Sequence, residues 1–246
     1  MEPFRFTFSN GLTAHAIQVH NGTDLSAALG EIGLHGSRPV LVVIGGASKV
    51  SNSDLAHLRS LFVEGLAPLA QSLGVLVVDG GTDAGVMQLM GKARAEIAAT
   101  FPLIGVAPIG LVTLPDTISS STDASLLEPH HTHFVLVPGS DWGDESIWLT
   151  NIADTLAGSA PSVVVLVNGG EITWKDASQN IQAGRSVIVI AGSGRTADLL
   201  AAVLRGEATD QRAETLVASG LVQAIDLSAG ADILARIIKK IFSAEE

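Results

Sequence analysis

One unit recurs four times along this chain: a short apolar run, a turn rich in glycine, and apolar residues at helical spacing. The clearest copy spans residues 75–93, where Val75 to Val78 precede the turn 79–85 and a helical pattern follows. Unbroken apolar runs that alternate with helical patterns are typical of parallel strands buried on both faces. The sequence therefore predicts an α/β fold, a three-layer sandwich in which helices cover both faces of a mainly parallel sheet.

The four turns follow predicted strands that end at Ile44, Asp79, Val167 and Ile190. Right-handed crossovers place the carboxyl ends of parallel strands at one edge, so we expect the turns to lie together. Their backbone N–H groups and the helix N-termini behind them favour anions, above all phosphate. The alternative is a set of tight turns that bind nothing. The candidate ligand-binding residues in these turns are Gly45, Gly46, Ala47, Gly80, Gly81, Thr82, Gly85, Gly169, Gly170, Gly192, Ser193, Gly194, Arg195 and Thr196.

The last turn, residues 192–197, fits the dinucleotide pattern G-x-G-x-x-G/A between a strand and a helix. In an NAD site an acidic residue closes a following strand about 20 positions later; none does so here, so the pattern is weak evidence for NAD. As an anion site the turn is stronger, because Arg195 adds a cation that can grip phosphate at two points. The alternative for Arg195 is an ion pair with Asp198.

The N-terminal segment has the pattern of a hairpin. Residues 4–8 alternate in polarity, and Asn10-Gly11 is a strong turn signal before a second strand over residues 13–20. We expect an N-terminal edge β-hairpin on the main sheet. Residues 1–246 are assigned to one domain, in which 1–36 form the hairpin and a helix packed on a core of 37–246. Residues 51–73 predict one long helix kinked at Pro68.

Composition limits the partners. The 246 residues carry a net charge of −11, which opposes nucleic-acid binding, and they contain no cysteine, which excludes disulfides and thiolate chemistry. No apolar run approaches the roughly 18 residues of a membrane span, and the N-terminus does not resemble a signal peptide. We expect a cytoplasmic protein with no membrane contact and no required cofactor. A homo-oligomer is compatible with the sequence, which does not specify one.

Two other polar clusters are explained by structural roles without a ligand. Glu128, His130, His131 and His133 have the residue types of a metal site, but their spacing lets only some of them converge, and buried or capping histidines are the preferred interpretation. Asp141, Asp144 and Glu145 form an acidic turn that either meets a ribose hydroxyl or, by default, is a solvated helix cap. The G-x-S-x-G motif of a serine nucleophile is absent. No metal site is predicted.

Several pieces in a fixed order carry a resemblance to a known family. They are Gly45-Gly46-Ala47, Gly80-Gly81-Thr82, Gly85-Val86-Met87, Ile104 to Pro108, His131 to Phe134, Val163–Gly170 and Gly192 to Asp198. In these pieces the chain resembles the SLOG superfamily, most closely the prokaryotic stand-alone relatives of the N-terminal domain of melastatin-type TRP channels. The resemblance implies a Rossmann-like fold and a nucleotide-derived ligand, which in the channels is ADP-ribose or a similar molecule. It adds Val86, Met87, Pro108 and Glu171 to the candidate ligand-binding residues.

A second SLOG branch, the LOG phosphoribohydrolases, cleaves nucleoside monophosphates at the glycosidic bond. Its signature P-G-G-x-G-T-x-x-E falls on residues 168–176, with Asn168, Ile172 and Asp176 replacing the proline, third glycine and glutamate. The arginine that this branch carries on the preceding helix has no counterpart, since residues 141–174 contain no Arg or Lys. Asp176, with Glu171, remains the alternative catalytic assignment.

The sequence thus favours a protein that binds or senses a nucleotide-derived small molecule such as ADP-ribose. The phosphates are expected on residues 80–85 and 193–196. Two alternatives stay open: a LOG-type hydrolase of N-glycosidic bonds, and an interaction module whose turns bind no ligand.

Overall fold

A computed structural model describes residues 2–46, 52–117, 121–207 and 210–243. The strands are β1 (Phe4–Thr7), β2 (Thr13–Gln18), β3 (Val40–Gly45), β4 (Leu76–Asp79), β5 (Leu103–Pro108), β6 (Val112–Thr113), β7 (Ser125–Leu126), β8 (His133–Val137), β9 (Ser162–Val167), β10 (Ser186–Ala191) and β11 (Val222–Asp226). The α-helices are α1 (Leu25–Glu31), α2 (Asn52–Ser60), α3 (Ala67–Leu73), α4 (Gly85–Glu96), α5 (Ser146–Ala157), α6 (Glu171–Gln182), α7 (Arg195–Leu204), α8 (Gln211–Val217) and α9 (Ala231–Ser243).

One sheet of nine strands organises the described residues, in the order β1-β2-β8-β5-β4-β3-β9-β10-β11. Every neighbouring pair is parallel except β1 and β2, which form an antiparallel hairpin at the edge. The predicted Rossmann-like α/β architecture and its N-terminal edge hairpin are therefore confirmed. Strand β2 continues the sheet by pairing in parallel with β8. The assignment of residues 1–246 to a single domain stays a prediction.

The helices cover both faces, because the strand residues alternate between two apolar cores. In β3, Val40, Val42 and Ile44 join a core with α1, α5, α6, α7 and α8. Leu41 and Val43 point the other way and pack with α2, α3, α4 and α9. This two-sided burial is why β3 is apolar along its length and the other central strands are mostly apolar. A smaller third cluster lies under the hairpin around Phe8 and Phe134.

The long helix expected over residues 51–73 is not regular, and Ser51 lies outside the described residues. A π-helical segment, Leu61–Leu66, separates α2 from α3. The amide of Ala67 bonds the carbonyl of Phe62, five residues back. Pro68, one residue later, has no N–H to continue the ladder. The irregularity predicted at Pro68 is thus located just before it, as a π turn rather than a simple kink.

The strand order reverses between β3 and β9. From β3 the chain proceeds outward through β4 and β5 towards β8, whereas β9 is followed by β10 and β11 on the other side. In open parallel sheets such a reversal opens a crevice at the carboxyl ends of the strands, where ligands bind. Within the described part of the chain, no helix is long and apolar enough to cross a membrane.

Candidate functional site

A cavity of about 330 Å³ lies at the carboxyl edge beside the β3–β9 reversal. It is lined by Val43, Ile44, Gly45, Gly80, Thr82, Met87, Ser125, Trp142, Glu145, Leu149, Gly170, Glu171, Ile172, Thr173 and Asp176. The lining combines glycine backbone from three turns with apolar side chains and carboxyl groups. A volume of roughly 300–1,000 Å³ with few polar groups in an apolar wall is typical of small-molecule sites.

Three of the four predicted turns contribute to this wall. The candidate residues that line it are Gly45, Gly80, Thr82, Met87, Gly170 and Glu171, together with the alternative catalytic residue Asp176. Residues from distant parts of the sequence therefore meet at one cavity. Ala47, at the margin of the first turn, lies outside the described residues.

Other candidate residues in the first three turns and at the end of β5 do not line the cavity. A Cβ on Gly81 would approach Gly105 Cα to 2.7 Å, and one on Gly169 would approach Thr173 Cγ2 to 2.8 Å, so these glycines permit close packing. Gly46 donates its amide to the carbonyl of Val167. Three further candidate residues are also absent from the cavity lining: Gly85, Val86 and Pro108.

The fourth turn supports the third instead of joining the cavity wall, so Gly192, Ser193, Gly194, Arg195 and Thr196 are absent from the lining. Ser193 Oγ accepts the amide of Asn168 at 2.7 Å, and the Asn168 side-chain amide donates to the Ser193 carbonyl at 2.7 Å. Ser193 and Thr196 are buried. Of residues 193–196, on which phosphate was expected, Arg195 is the exposed one.

Arg195 reaches the neighbouring turn. Its Nη2 atom lies 3.1 Å from the position that a Cβ on Gly170 would take, so the guanidinium packs against the Gly170 backbone at the cavity wall. Asp198, the alternative partner considered for Arg195, accepts the amide of Gly192. Arg195 is exposed and has a positive φ of 52°, a strained conformation for a non-glycine residue.

Glu171, at the first turn of α6, points towards solvent. Its side chain is 83% exposed and pairs with Arg212, the distance from Oε2 to Nη1 being 2.9 Å. The Arg212 guanidinium also stacks on Trp174, 4.5 Å from the ring centroid. Of the two alternative catalytic carboxylates, Glu171 is therefore at the rim and Asp176 is inside.

Asp176 is buried in the cavity wall. Burial raises its pKa to about 7, and the nearby Glu145 carboxylate acts in the same direction. The Ser146 hydroxyl and Lys175 oppose the rise in pKa. Within the described part of the chain, neither Ser146 Oγ nor Asp176 Oδ1 has a hydrogen bond of normal geometry. A carboxyl group held partly protonated near neutral pH suits acid or base chemistry.

Glu145 was underestimated by sequence reasoning, which treated its turn as solvated by default. The side chain is buried and lines the cavity. Burial raises its pKa, while the Gly143 amide, bonded to Oε2 at 2.7 Å, and the charge of Lys175 lower it. Lys175 directly follows the stretch without Arg or Lys, and its Nζ donates to the Gly143 carbonyl. A cation is thus present beside both carboxyl groups.

The histidine cluster forms a buried bridge under the second turn. His131 Nε2 lies 2.8 Å from Asp79 Oδ1, and its Nδ1 lies 2.8 Å from Glu128 Oε2. Asp79 Oδ1 also accepts the amide of Gly81 at 2.7 Å, and His130 Nδ1 contacts Glu128 Oε1 at 2.6 Å. Against the cost of burial, the two carboxylates raise the pKa of His131 to about 9.

This bridge positions part of the cavity wall. It ties the end of β4, which carries Gly80 and Thr82, to the loop that follows Ser125. A metal-binding arrangement of histidine and carboxylate side chains is not found among the described residues. His131 is buried and contacts a carboxylate with each ring nitrogen.

Comparisons with known proteins agree on one family. The family model described as "SLOG in TRPM, prokaryote" matches residues 38–235. Transient receptor potential cation channel subfamily M member 2 of Mus musculus is 25% identical over 199 residues, which cover 67% of this chain and 13% of that protein. A subfamily M member-like 2 protein of Nematostella vectensis is 27% identical over 198 residues, covering 65% and 13%. The chain thus matches only about an eighth of the length of these channels.

A solved structure shares the fold. The X-ray structure of a structural-genomics target titled TM1055 superposes with a TM-score of 0.55 at 23% identity, over 82% of this chain and 99% of that one. At this identity the likeness concerns the fold alone.

The buried charge of His131 leads to a prediction about pH. Because the pKa is raised from 6.5 to about 9, the folded state holds the proton more tightly than the unfolded state. This stabilisation is fully present below pH 6.5 and is lost as the pH rises through about 9. It amounts to about 1.4 kcal/mol for each unit by which the two pKa values differ. Urea unfolding at pH 7 and pH 10 should show a larger loss for wild type than for His131→Gln.

The exposed His20 provides the matched control, since His20→Gln should follow the wild-type dependence on pH. An identical loss in wild type and His131→Gln would contradict a charged His131.

A second prediction concerns the cost of burying Asp176. Its pKa rises from 3.8 to about 7 on folding, so stability falls as the pH climbs through this interval and the full penalty applies above pH 7. Asn has nearly the same shape without the charge. Asp176→Asn should raise the free energy of unfolding at pH 8 by on the order of 1–4 kcal/mol and change it little at pH 4. The exposed Asp141→Asn should have no such effect. Equal or lower stability of Asp176→Asn at pH 8 would refute the assigned burial cost.

Proposed function

The chain belongs to the prokaryotic family of SLOG domains in TRPM, and on this basis we propose that its cavity binds a nucleotide-derived small molecule. The observation that carries the proposal is the convergence of the turns at Gly45, Gly80 and Gly170 on one cavity at the strand-order reversal. Convergent glycine turns allow a ligand to approach the backbone closely. The N-terminus of α6 follows the Gly170 turn directly and favours negative charge.

The distribution of cations supports a phosphate-bearing ligand. The chain as a whole is strongly acidic, with a net charge of −11, so an anion depends on local groups. Three cations lie around the first turns of α6: Arg195 packs on Gly170, Arg212 pairs with Glu171, and Lys175 bonds the Gly143 carbonyl. Of these three, Arg195 packs its guanidinium on the backbone of Gly170, which lines the cavity. Arg195 is therefore the cation best placed to contact phosphate.

The apolar lining supports a nucleobase. Trp142, Met87 and Leu149 present aromatic and aliphatic surface to the cavity. Indole and thioether groups pack well against the flat face of a purine. We therefore propose ADP-ribose, the ligand implied by the resemblance to the channels, or a related nucleotide.

A second candidate function, hydrolysis of an N-glycosidic bond as in the LOG branch, is favoured by one observation. Asp176, which occupies the place of the signature glutamate, lies buried in the cavity wall with a pKa near 7. Pure binding does not require an ionisable group tuned in this way. Lys175 supplies a cation near this carboxyl group, although not from the preceding helix.

Phosphate recognition predicts a difference between ligands. A ligand at a hundred times its dissociation constant stabilises the folded state by about 2.7 kcal/mol. ADP-ribose should raise the melting temperature in a thermal-shift assay, while adenosine, which has no phosphate, should raise it much less. Equal shifts with both would mean that phosphate is not recognised, and no shift with any nucleotide would favour the ligand-free interaction module.

Arg195 provides the sharpest test of the proposed site. Arg195→Ala should weaken binding of ADP-ribose by on the order of 2–3 kcal/mol, the contribution of a hydrogen bond to a charged group. Arg195→Lys should restore only part of the loss, since an ammonium lacks the planar two-point contact. The matched control is Arg205→Ala, at the far end of α7, where the guanidinium pairs with Glu207. Calorimetric titration measures the affinity of each of the three variants for ADP-ribose. Wild-type affinity in Arg195→Ala would show that Arg195 does not contact the ligand.

A further inference from the structure

The lining of the cavity is acidic, although the proposed ligand is an anion. Three carboxyl groups line it, those of Glu145, Glu171 and Asp176, and no lysine, arginine or histidine stands among the described lining residues. Glu171 is directed to solvent and paired with Arg212. Glu145 and Asp176 are buried. The protonation of these two buried groups therefore decides how strongly the wall repels an anion.

Asp176 lacks the hydrogen bonds that would stabilise a buried charge. The residue lies on α6 and is 9% exposed. Its Oδ1 atom is buried and has no hydrogen-bond donor of normal geometry among the described residues, and the neighbouring Ser146 hydroxyl is in the same condition. A buried carboxylate oxygen without a donor costs free energy, and a proton on the carboxyl group removes the charge that creates this cost. The surroundings of Asp176 therefore favour its neutral form.

Two charged groups act on Asp176 from the elements around it. Burial, followed by the like charge of Glu145 in the turn before α5, raises the pKa of Asp176 to about 7. Lys175 on α6 opposes this rise, but its ammonium group donates to the carbonyl of Gly143. As far as the described residues go, β3, α4 and the turn after β4 contribute no charged side chain to the lining. Burial raises the pKa of Glu145 as well.

An anionic ligand would bring a further negative charge into this wall. Its phosphate groups are proposed to lie at the Gly170 turn beside Arg195, and Gly170 lines the same cavity as Asp176. Negative charge near a carboxyl group raises the pKa of that group, so the ligand drives Asp176 further towards the protonated form. A protonated carboxyl group has an O–H donor, which the ionised form lacks. The phosphate and ribose oxygens of a nucleotide are acceptors for such a donor.

We propose that Asp176 takes up a proton when the nucleotide binds and donates a hydrogen bond from its carboxyl O–H to an oxygen atom of the ligand. The inference rests on the proposed nucleotide site and makes Asp176 a residue that selects a ligand with an acceptor at this position. The proton comes from solvent, and no bond of the ligand breaks. Because binding consumes a proton, the affinity for the ligand falls as the pH rises.

Calorimetry measures the proton uptake directly. ADP-ribose is titrated into the protein at pH 7 and pH 8 in pairs of buffers with small and large enthalpies of ionisation. The difference in heat between the buffers gives the number of protons taken up with each ligand. Since the pKa of Asp176 in the free protein is about 7, we expect about half a proton at pH 7 and about one at pH 8. The pyrophosphate oxygens of ADP-ribose stay ionised throughout, so the ligand itself contributes no uptake.

Two substitutions of Asp176 separate the proton from the hydrogen bond. Asp176→Asn keeps a donor of nearly the same shape that does not titrate, so proton uptake should vanish while the affinity at pH 6 stays within a few fold of wild type. The loss of wild-type affinity, which approaches about tenfold for each pH unit above 7, should disappear in this variant. Asp176→Leu has no donor and should bind ADP-ribose on the order of tenfold more weakly at pH 6.

The matched control is Asp232→Asn. Asp232 is exposed in the first turn of α9 and does not line the cavity. This variant should keep the wild-type proton uptake and the wild-type dependence of affinity on pH.

The possible results distinguish the inference from the proposed function. Binding of ADP-ribose without proton uptake, or with proton release, would overturn the inference and leave the nucleotide site intact. Uptake that persists in Asp176→Asn and vanishes in Glu145→Gln would place the proton on Glu145 and overturn the role of Asp176. Absence of ADP-ribose binding from pH 6 to pH 8 would overturn both the proposed ligand and the inference.

Discussion

The cavity depends on a close backbone contact between β3 and β9. Gly45 has a φ of 133°, and a Cβ at this position would lie 1.9 Å from the Val167 carbonyl oxygen. No other residue satisfies both the conformation and the distance. The contact keeps the two strands paired to their last residues, Gly45 and Val167. Gly45 itself lines the cavity, which lies at this carboxyl edge of the sheet beside the reversal of strand order.

The fold was predictable from sequence because its signals are local. A strand covered on both faces must be apolar at every position, and the turn that follows it needs glycine wherever φ is positive or another backbone approaches. These demands leave a recurring pattern that is visible without any tertiary information. A local signal also explains why a kink was predicted where the structure has a π turn. Pro68 predicts an irregularity in the helix, but whether the helix kinks or forms a π turn depends on the packing around Phe62.

The site was predictable only in part. Glycine in a turn has two uses that look alike in sequence: Gly80 and Gly170 border the cavity, whereas Gly81 and Gly169 make room for Gly105 and Thr173. Glu145 was assigned by default to a solvated turn, because its burial comes from the packing of that turn against α6 and the periodicity of the sequence does not reveal such a tertiary contact. The role of His131 between Asp79 and Glu128 likewise joins residues some 50 positions apart.

Among the described residues Asp176 Oδ1 has no hydrogen-bond donor, and the two candidate functions would use this oxygen differently. A buried carboxyl oxygen without a donor costs free energy that a hydrogen-bonded carboxyl group does not, and Oδ1 of Asp176 is in this condition beside the charge of Glu145. A ligand hydroxyl that bonds this oxygen would recover the cost on binding, which suits a sensor. A proton held there would leave with the base, which suits a hydrolase. The two uses differ in the ligand atom that faces Asp176: a ribose hydroxyl in the first, the glycosidic nitrogen in the second. On the proposed binding mode, with phosphate at Gly170 and the base against Trp142, the orientation of the ribose in the cavity would decide between recognition and turnover.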